Sequence, residues 1–365
     1  MHSRFLTFWS NSKLASDRNT DGLISSRWKF RNSQKQHFHS PRFLLMAGSA
    51  AISILAASTS SQVLAGAASV GGSIDTKAQL TVALKAASKL TTLPSQLVVP
   101  LSGAGVDYPD WTINHFCFLN NLDIHPVQDR PSDATCSFGD TKSSTVLALL
   151  GDSQANLWLP TFDAMGKQDH VRIVFYALAS CQMASIDTWN NWGLGPSQGC
   201  SAFRAWAMSQ ISILRPKYTV LAFYADDDHF TFDHTLIARA DYGAALVQTL
   251  RTLKLSSNNV MMLGRIPLPR NDPKVCVAIH PTNLQGCSTP RAAAVTAATE
   301  AMLKSTSKTA KVGYFDLMHY GCTAAVCPPV INGTIAYVDL YHYSMHYLAE
   351  IQKLVISELH AAKIQ

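Results

Sequence analysis

Five short apolar runs limit what this chain can fold into. "STVLALLG" (144–151), "RIVFYAL" (172–178), "YTVLAFYA" (218–225), "NVMMLGRIP" (259–267) and "VGYFDL" (312–317) have the length and composition of strands buried on both faces. The stretches 201–214, 237–253 and 291–304 between them carry a helical period, and 343–360 reads as a closing helix. Apolar strands that alternate with helices predict an α/β domain with a mostly parallel five-stranded sheet, helices lying over both of its faces. No internal repeat interrupts this order.

With 365 residues, 47% of them hydrophobic, the chain can bury a large core. Its net charge of +6 is concentrated in residues 1–42, which hold eight Lys/Arg against Asp17 and Asp21. The remaining 22 basic and 22 acidic residues cancel. A basic face for nucleic acid is therefore not supported, because the excess sits in the leader, and no nucleic-acid partner is expected.

The basic leader runs into "FLLMAGSAAISILAASTSSQVLAGAA" (43–68), which is uncharged throughout. A basic flank, an apolar core and a small-residue exit describe a secretion signal, and the same stretch is long enough for a single membrane anchor. Both readings stay open, with a buried soluble helix as the third. Either of the first two places the rest of the chain outside the cytoplasm. Residues 69–109 are rich in Ala, Ser, Gly and Thr and read as a tether with one short helix near 77–90. The folded domain is expected over 110–365.

All eight cysteines lie beyond the apolar segment, and an even count there fits disulfides in an oxidising compartment. Eight thiols allow 105 pairings. The pairing expected here joins sequential neighbours, each stapling a local loop: Cys117 with Cys136, Cys181 with Cys200, Cys276 with Cys287, and Cys322 with Cys327. Zinc is the rival use, but no C-x-x-C occurs and the thiols are scattered. Free buried cysteines are the remaining alternative.

The first apolar run ends in Gly151-Asp152-Ser153, and a helix is predicted from about Gln154. In an open parallel sheet, residues just past a strand point into the crevice at the carboxyl ends. A serine there has helix N–H groups beside it, which can hold developing negative charge. Asp152 or Ser153 can equally be a helix cap, the commonest use of these residues. A nucleophilic serine needs a base oriented by a third group. Asp339 and His342, in "VDLYHYS", supply one, because residues three apart in a turn entering a helix face the same way. The spacing recurs at Asp226/His229 and Asp316/His319. The run "DDDHFTFDH" (226–234) could hold a divalent cation, and His342 with His346 could hold zinc, although a solvated loop is the commoner fate of such a run. No metal and no cofactor is expected. The long segment 179–201, with Trp189 and Trp192, reads as a loop at the carboxyl edge of the sheet, where a substrate would lie.

Gly151-Asp152-Ser153 after the first strand, with Asp339-x-x-His342 just before a C-terminal helix, resembles the SGNH (GDSL-type) hydrolase superfamily. More narrowly, "CSFGD", "ASCQM", "LGRIPLP" and "FDLMHYGCTAAVC" make residues 110–360 similar to the SGNH domain fused to bacterial membrane acyltransferase-3 proteins, which decorate cell-envelope glycans. The resemblance implies a three-layer α/β/α, flavodoxin-like SGNH fold, with Ser153 as nucleophile, His342 as base and Asp339 as its orienting partner. The Ser153 N–H becomes an oxyanion donor. The family's further donors are a Gly and an Asn, where this chain has Ser180 and Tyr224. Gln154 stands where many relatives have His, and it joins Trp189 and Trp192 as a substrate-loop candidate.

The implied activity is O-acyl transfer, of acetyl in the simplest case, to an envelope glycan, or hydrolysis of such an ester. A catalytically weak glycan-binding module is the alternative, and a metal-dependent hydrolase the third reading. No set of ten or so membrane spans occurs in the chain, so an acyl group from the cytoplasm would require a separate membrane acyltransferase partner.

Overall fold

A computed structural model describes residues 71–108, 117–119, 130–190, 195–196, 198–225, 228–231 and 233–363. The leader 1–42, the apolar segment 43–68, Trp192, Asp226 and Asp227 lie outside them. Among the described residues no helix is long and apolar enough to cross a membrane.

The central sheet has seven strands among the described residues: β1 (Phe118–Leu119), β2 (Ser137–Gly139), β3 (Val146–Gly151), β4 (Arg172–Leu178), β5 (Tyr218–Ala222), β6 (Asn259–Leu263) and β7 (Gly313–Phe315). Their spatial order is β1-β4-β3-β5-β6-β7, with every pair on this path parallel. β2 runs antiparallel beside the first half of β4. Each of the five apolar runs contains one of β3 to β7. The expected five-stranded sheet is thus extended by two short edge strands, β1 and β2, which share the outer edge of β4. They are too short to leave a periodic signal, and the Cys117–Cys136 disulfide ties them together where they meet end to end along β4.

Alternation along the strands feeds two separate cores. Leu147, Leu149, Ile173, Phe175 and Val220 point to one face, against α1 (Lys77–Ala87), α2 (Ser153–Gln168) and the closing α6 (Met345–Ala361). Ala148, Leu150, Val174, Tyr176 and Leu221 point to the other, against α3 (Gln198–Leu214), α4 (Arg239–Ser256) and α5 (Ala297–Ala310). This is a three-layer α/β/α fold. Counting only β3 to β7, the strand order 2-1-3-4-5 is the flavodoxin-like one, whose crossover direction reverses between β3 and β5. The crevice above that gap is where such sheets place ligands.

All four sequential cysteine pairs are bridged: Cys117–Cys136, Cys181–Cys200, Cys276–Cys287 and Cys322–Cys327. Residues 71–108, expected as a tether, are instead built into the domain. Ile74, Leu80 and Leu84 join the first core, while Leu90, Leu93, Leu97 and Leu101 pack on a satellite core around the Cys276–Cys287 bridge. Backbone bonds from Gly71 to Asn332, Ile74 to Glu350, and Val98 to Gly333 fasten the segment down. The short helix expected near 77–90 is α1, but Leu90, Leu93, Leu97 and Leu101 lie in a mostly irregular stretch, with no long helix or strand to mark the rest of the segment as docked.

Gly151 ends β3 where its neighbour β5 comes closest. A Cβ at this position would run into the carbonyl oxygen of Ala222, its register partner. Gly151→Ala is therefore expected to lower stability by about 3 kcal/mol, read as a fall in the urea midpoint, because backbone rather than a side chain must give way.

Candidate active site

Ser153 is the first residue of α2, and Asp152 is its N-cap. Asp152 is only 1% exposed, and its carboxylate serves two elements at once. Oδ1 accepts the Gln154 N–H at 2.8 Å, and Oδ2 accepts the Tyr224 N–H at 2.9 Å. The ordinary capping bond thus becomes a tie between the start of α2 and the exit of β5. It sets Ser153 at the gap where the crossover direction reverses.

The loop 339–342 enters from the side of α6. Asp339 Oδ1 accepts the backbone N–H groups of Tyr341 and His342 at 2.6 and 2.7 Å, which curls the loop around the carboxylate. His342 Nδ1 lies 2.9 Å from Asp339 Oδ2, and His342 Nε2 lies 2.9 Å from Ser153 Oγ. An ionised carboxylate only accepts, so Nδ1 carries the proton and Nε2 is left to accept from the serine hydroxyl. Burial alone would raise the Asp339 carboxyl, but hydrogen bonds from His342, the Tyr341 N–H and the Tyr108 hydroxyl outweigh it and hold it below the usual carboxylate range. The result is an unbroken Ser–His–Asp hydrogen-bond chain, the arrangement that can turn a serine hydroxyl into a nucleophile.

The rival pair Asp316/His319 is taken apart by the fold, while Asp226 of the other pair lies outside the described residues. Asp316 accepts the Met318 N–H and faces Lys304, while His319 pairs with Glu358. His229 is buried and stacks on Tyr242 with ring centroids 3.6 Å apart. His234 lies against Trp189 at 4.0 Å, and Asp233 accepts from Thr231. His346 pairs with Asp107, a different carboxylate from the one His342 uses. Among the described residues no group of three or more His, Cys, Asp or Glu is placed to hold a metal ion.

The other candidates are placed as follows. Ser180 has φ +56°, the left-handed region that favours glycine, so it keeps a glycine-like backbone where the resemblance expects Gly. Tyr224 spends its N–H on Asp152, its hydroxyl accepts from Arg265 Nη2 at 2.9 Å, and its ring meets Tyr341 edge-on. Gln154 is 5% exposed, and its side-chain amide donates to the Tyr341 carbonyl at 2.9 Å. It is a brace between α2 and the histidine loop rather than a substrate-facing side chain. Trp189 is half-buried in a two-residue hairpin with Gly195–Pro196, inside the loop that Cys181–Cys200 closes.

Two contributors escape a reading of the sequence. Tyr108 donates its hydroxyl to Asp339 Oδ2 at 2.7 Å, and Asp107 accepts the Met345 and His346 N–H groups in the first turn of α6. No local pattern marks either residue. The double role of Asp152 also needed the fold to show it. Asp152→Asn would turn an NH2 group toward one of the two N–H donors, and is expected to cost about 2 kcal/mol in chemical denaturation.

Comparison with curated proteins gives no significant match. Among solved structures, the periplasmic domain of a lipopolysaccharide acetyltransferase from Salmonella ser. Paratyphi A aligns with a TM-score of 0.51 at 10% identity, covering 71% of this chain and 98% of that one. A GDSL-like lipase from Bacteroides thetaiotaomicron aligns with a TM-score of 0.35 at 11% identity, over 60% of this chain and 89% of that one. At such identities the likeness to the Salmonella domain is one of fold. The sequence itself matches a family over residues 119–357, which takes in β3 to β7, Ser153 and the 339–342 loop. The chain belongs to the SGNH domains that occur fused to AT3 domains.

Proposed function

We propose that this protein moves O-acyl groups through an acyl-enzyme at Ser153, transferring them to, or removing them from, cell-envelope glycans. The observation that carries the reading is the continuous chain from Ser153 Oγ through His342 to Asp339. Ser153 Oγ attacks the acyl carbon as its proton passes to His342 Nε2, and the carbonyl oxygen becomes an oxyanion beside the first turn of α2. Collapse breaks the ester bond, and the departing alcohol leaves with the proton from His342. An acceptor hydroxyl or water then attacks the acyl-serine and gives its proton to His342, which passes it to Ser153 Oγ as the acyl–serine bond breaks. Asp339 fixes the tautomer and stabilises the imidazolium without itself becoming protonated.

Acetyl is the natural acyl group, and the Trp189 loop is the natural place for a sugar ring to pack. The family's fusion to AT3 domains supports a membrane acyltransferase as acyl donor. Four disulfides fit an oxidising compartment outside the cytoplasm. A second reading, a glycan-binding module without chemistry, is favoured by one observation: Tyr224 occupies the expected Asn position, and its N–H is engaged by Asp152.

Hydrolysis of p-nitrophenyl acetate separates the two. Ser153→Ala and His342→Ala are expected to lower kcat by about ten-thousandfold or more, and Asp339→Asn by about a thousandfold or more. Equal rates for the wild type and Ser153→Ala would leave the binding module standing.

A further inference from the structure

The family match begins at residue 119, yet the site is completed by residues that precede it. Asp107 sits against the first turn of α6, whose N–H groups have no partner within the helix. Its carbonyl oxygen accepts the Met345 N–H at 3.0 Å, and its Oδ2 accepts the His346 N–H at 3.3 Å. Its Oδ1 meets His346 Nδ1 at 2.8 Å, and the Asp107 side chain is only 7% exposed. A carboxylate at a helix N-terminus is favoured by the dipole as well as by these bonds. Asp107 is therefore a clamp between the lead-in segment and α6.

The next residue uses that fixed position. Tyr108 donates to Asp339 Oδ2 at 2.7 Å, the same oxygen that faces His342 Nδ1. Its ring lies edge-on to the imidazole, with centroids 6.3 Å apart. Asp339 Oδ1 is already engaged by two backbone N–H groups, so the carboxylate is held on both oxygens. We infer that Tyr108 is a positioning residue for the Asp339–His342 pair, carried into place by the Asp107 clamp; this rests on the reading of Ser153, His342 and Asp339 as the reacting set.

The phenol does two things at Oδ2. It fixes the rotation of the carboxylate so that Oδ2 stays in line with Nδ1–H, and it takes up part of the negative charge there. Burial, the bond to Asp339, and the negative charges of Asp339 and Asp272 all push the Tyr108 phenol up, so it remains the donor. Without the hydroxyl, the charge on Oδ2 falls more fully on His342. The imidazolium is then favoured, and a higher pH is needed to free the base. The other charged groups around the loop stay in place in such a variant. They are the Asp272–Lys274 pair, in which Lys274 reaches the Val338 carbonyl; the Asp107–His346 pair; Asp152 beneath α2; and Arg265 behind Tyr224.

The test is a pH profile of p-nitrophenyl acetate hydrolysis by the full-length protein, with Tyr108→Phe, Asp107→Ala and Ser153→Ala beside the wild type. Tyr108→Phe is expected to lower kcat about tenfold with KM unchanged, and to move the acidic limb to higher pH. Asp107→Ala keeps the phenol but loosens the clamp, and is expected to lower kcat in the same direction. A Tyr108→Phe protein with the wild-type kcat and acidic limb, while Ser153→Ala is inactive, overturns the inference. Wild-type activity in Ser153→Ala overturns the reading of the site, and the inference with it.

Discussion

The buried carboxylate of Asp152 accepts one N–H from the first turn of α2 and another from the residue two beyond the end of β5. Two neighbouring strand ends are thereby held at a fixed separation, at the point in the sheet where the crossover direction reverses. Everything else in the site is measured from this tie. Gly151 allows β3 to come close enough to β5 for the carboxylate to span the gap. Ser153 opens α2, and Gln154 reaches across to the carbonyl of Tyr341 and so sets the distance to the histidine loop. A buried carboxylate with both oxygens accepting from backbone is well matched to its surroundings, whereas one left short of a donor would be costly.

The histidine loop is anchored in the same manner from the opposite side. Asp339 gathers two backbone N–H groups on one oxygen, and the imidazole and a phenol on the other. Two carboxylates, Asp152 and Asp339, thus organise two loops around a serine and a histidine. Behind them, α6 is capped by Ser344, whose hydroxyl donates to the Ile335 carbonyl and meets the N–H of Tyr347. The segment 71–108 closes the arrangement, because it docks on the satellite core and ends against Asp339.

Much of this was legible in the sequence, for physical reasons that differ between the parts. The strands β3 to β6 could be read because a strand buried on both faces is an apolar run, and β7, an edge strand with Gly313 and Tyr314 only partly buried, still lies in a short apolar run. The edge strands β1 and β2 could not, since two- and three-residue strands carry no period and are held by a disulfide. Asp339 and His342 could be proposed from their spacing, but the same spacing at Asp316/His319 leads to Lys304 and Glu358 instead. Only the packing tells them apart. Gln154 was expected toward substrate because it stands where many relatives have His, yet a helix turns successive residues to different faces, and this one turns inward. Tyr108 was beyond reach: 231 residues separate it from Asp339, and no local pattern announces a contact of that range.

The central claim is that Ser153 is an activated nucleophile, and the most direct measurement is the intact mass of the protein after treatment with a fluorophosphonate, with Ser153→Ala treated in parallel. The account predicts one phosphonyl adduct on the wild type, located on the peptide that contains Ser153, and none on the variant. A folded, disulfide-bonded wild type that takes up no adduct, or a variant that takes up the same one, would contradict it.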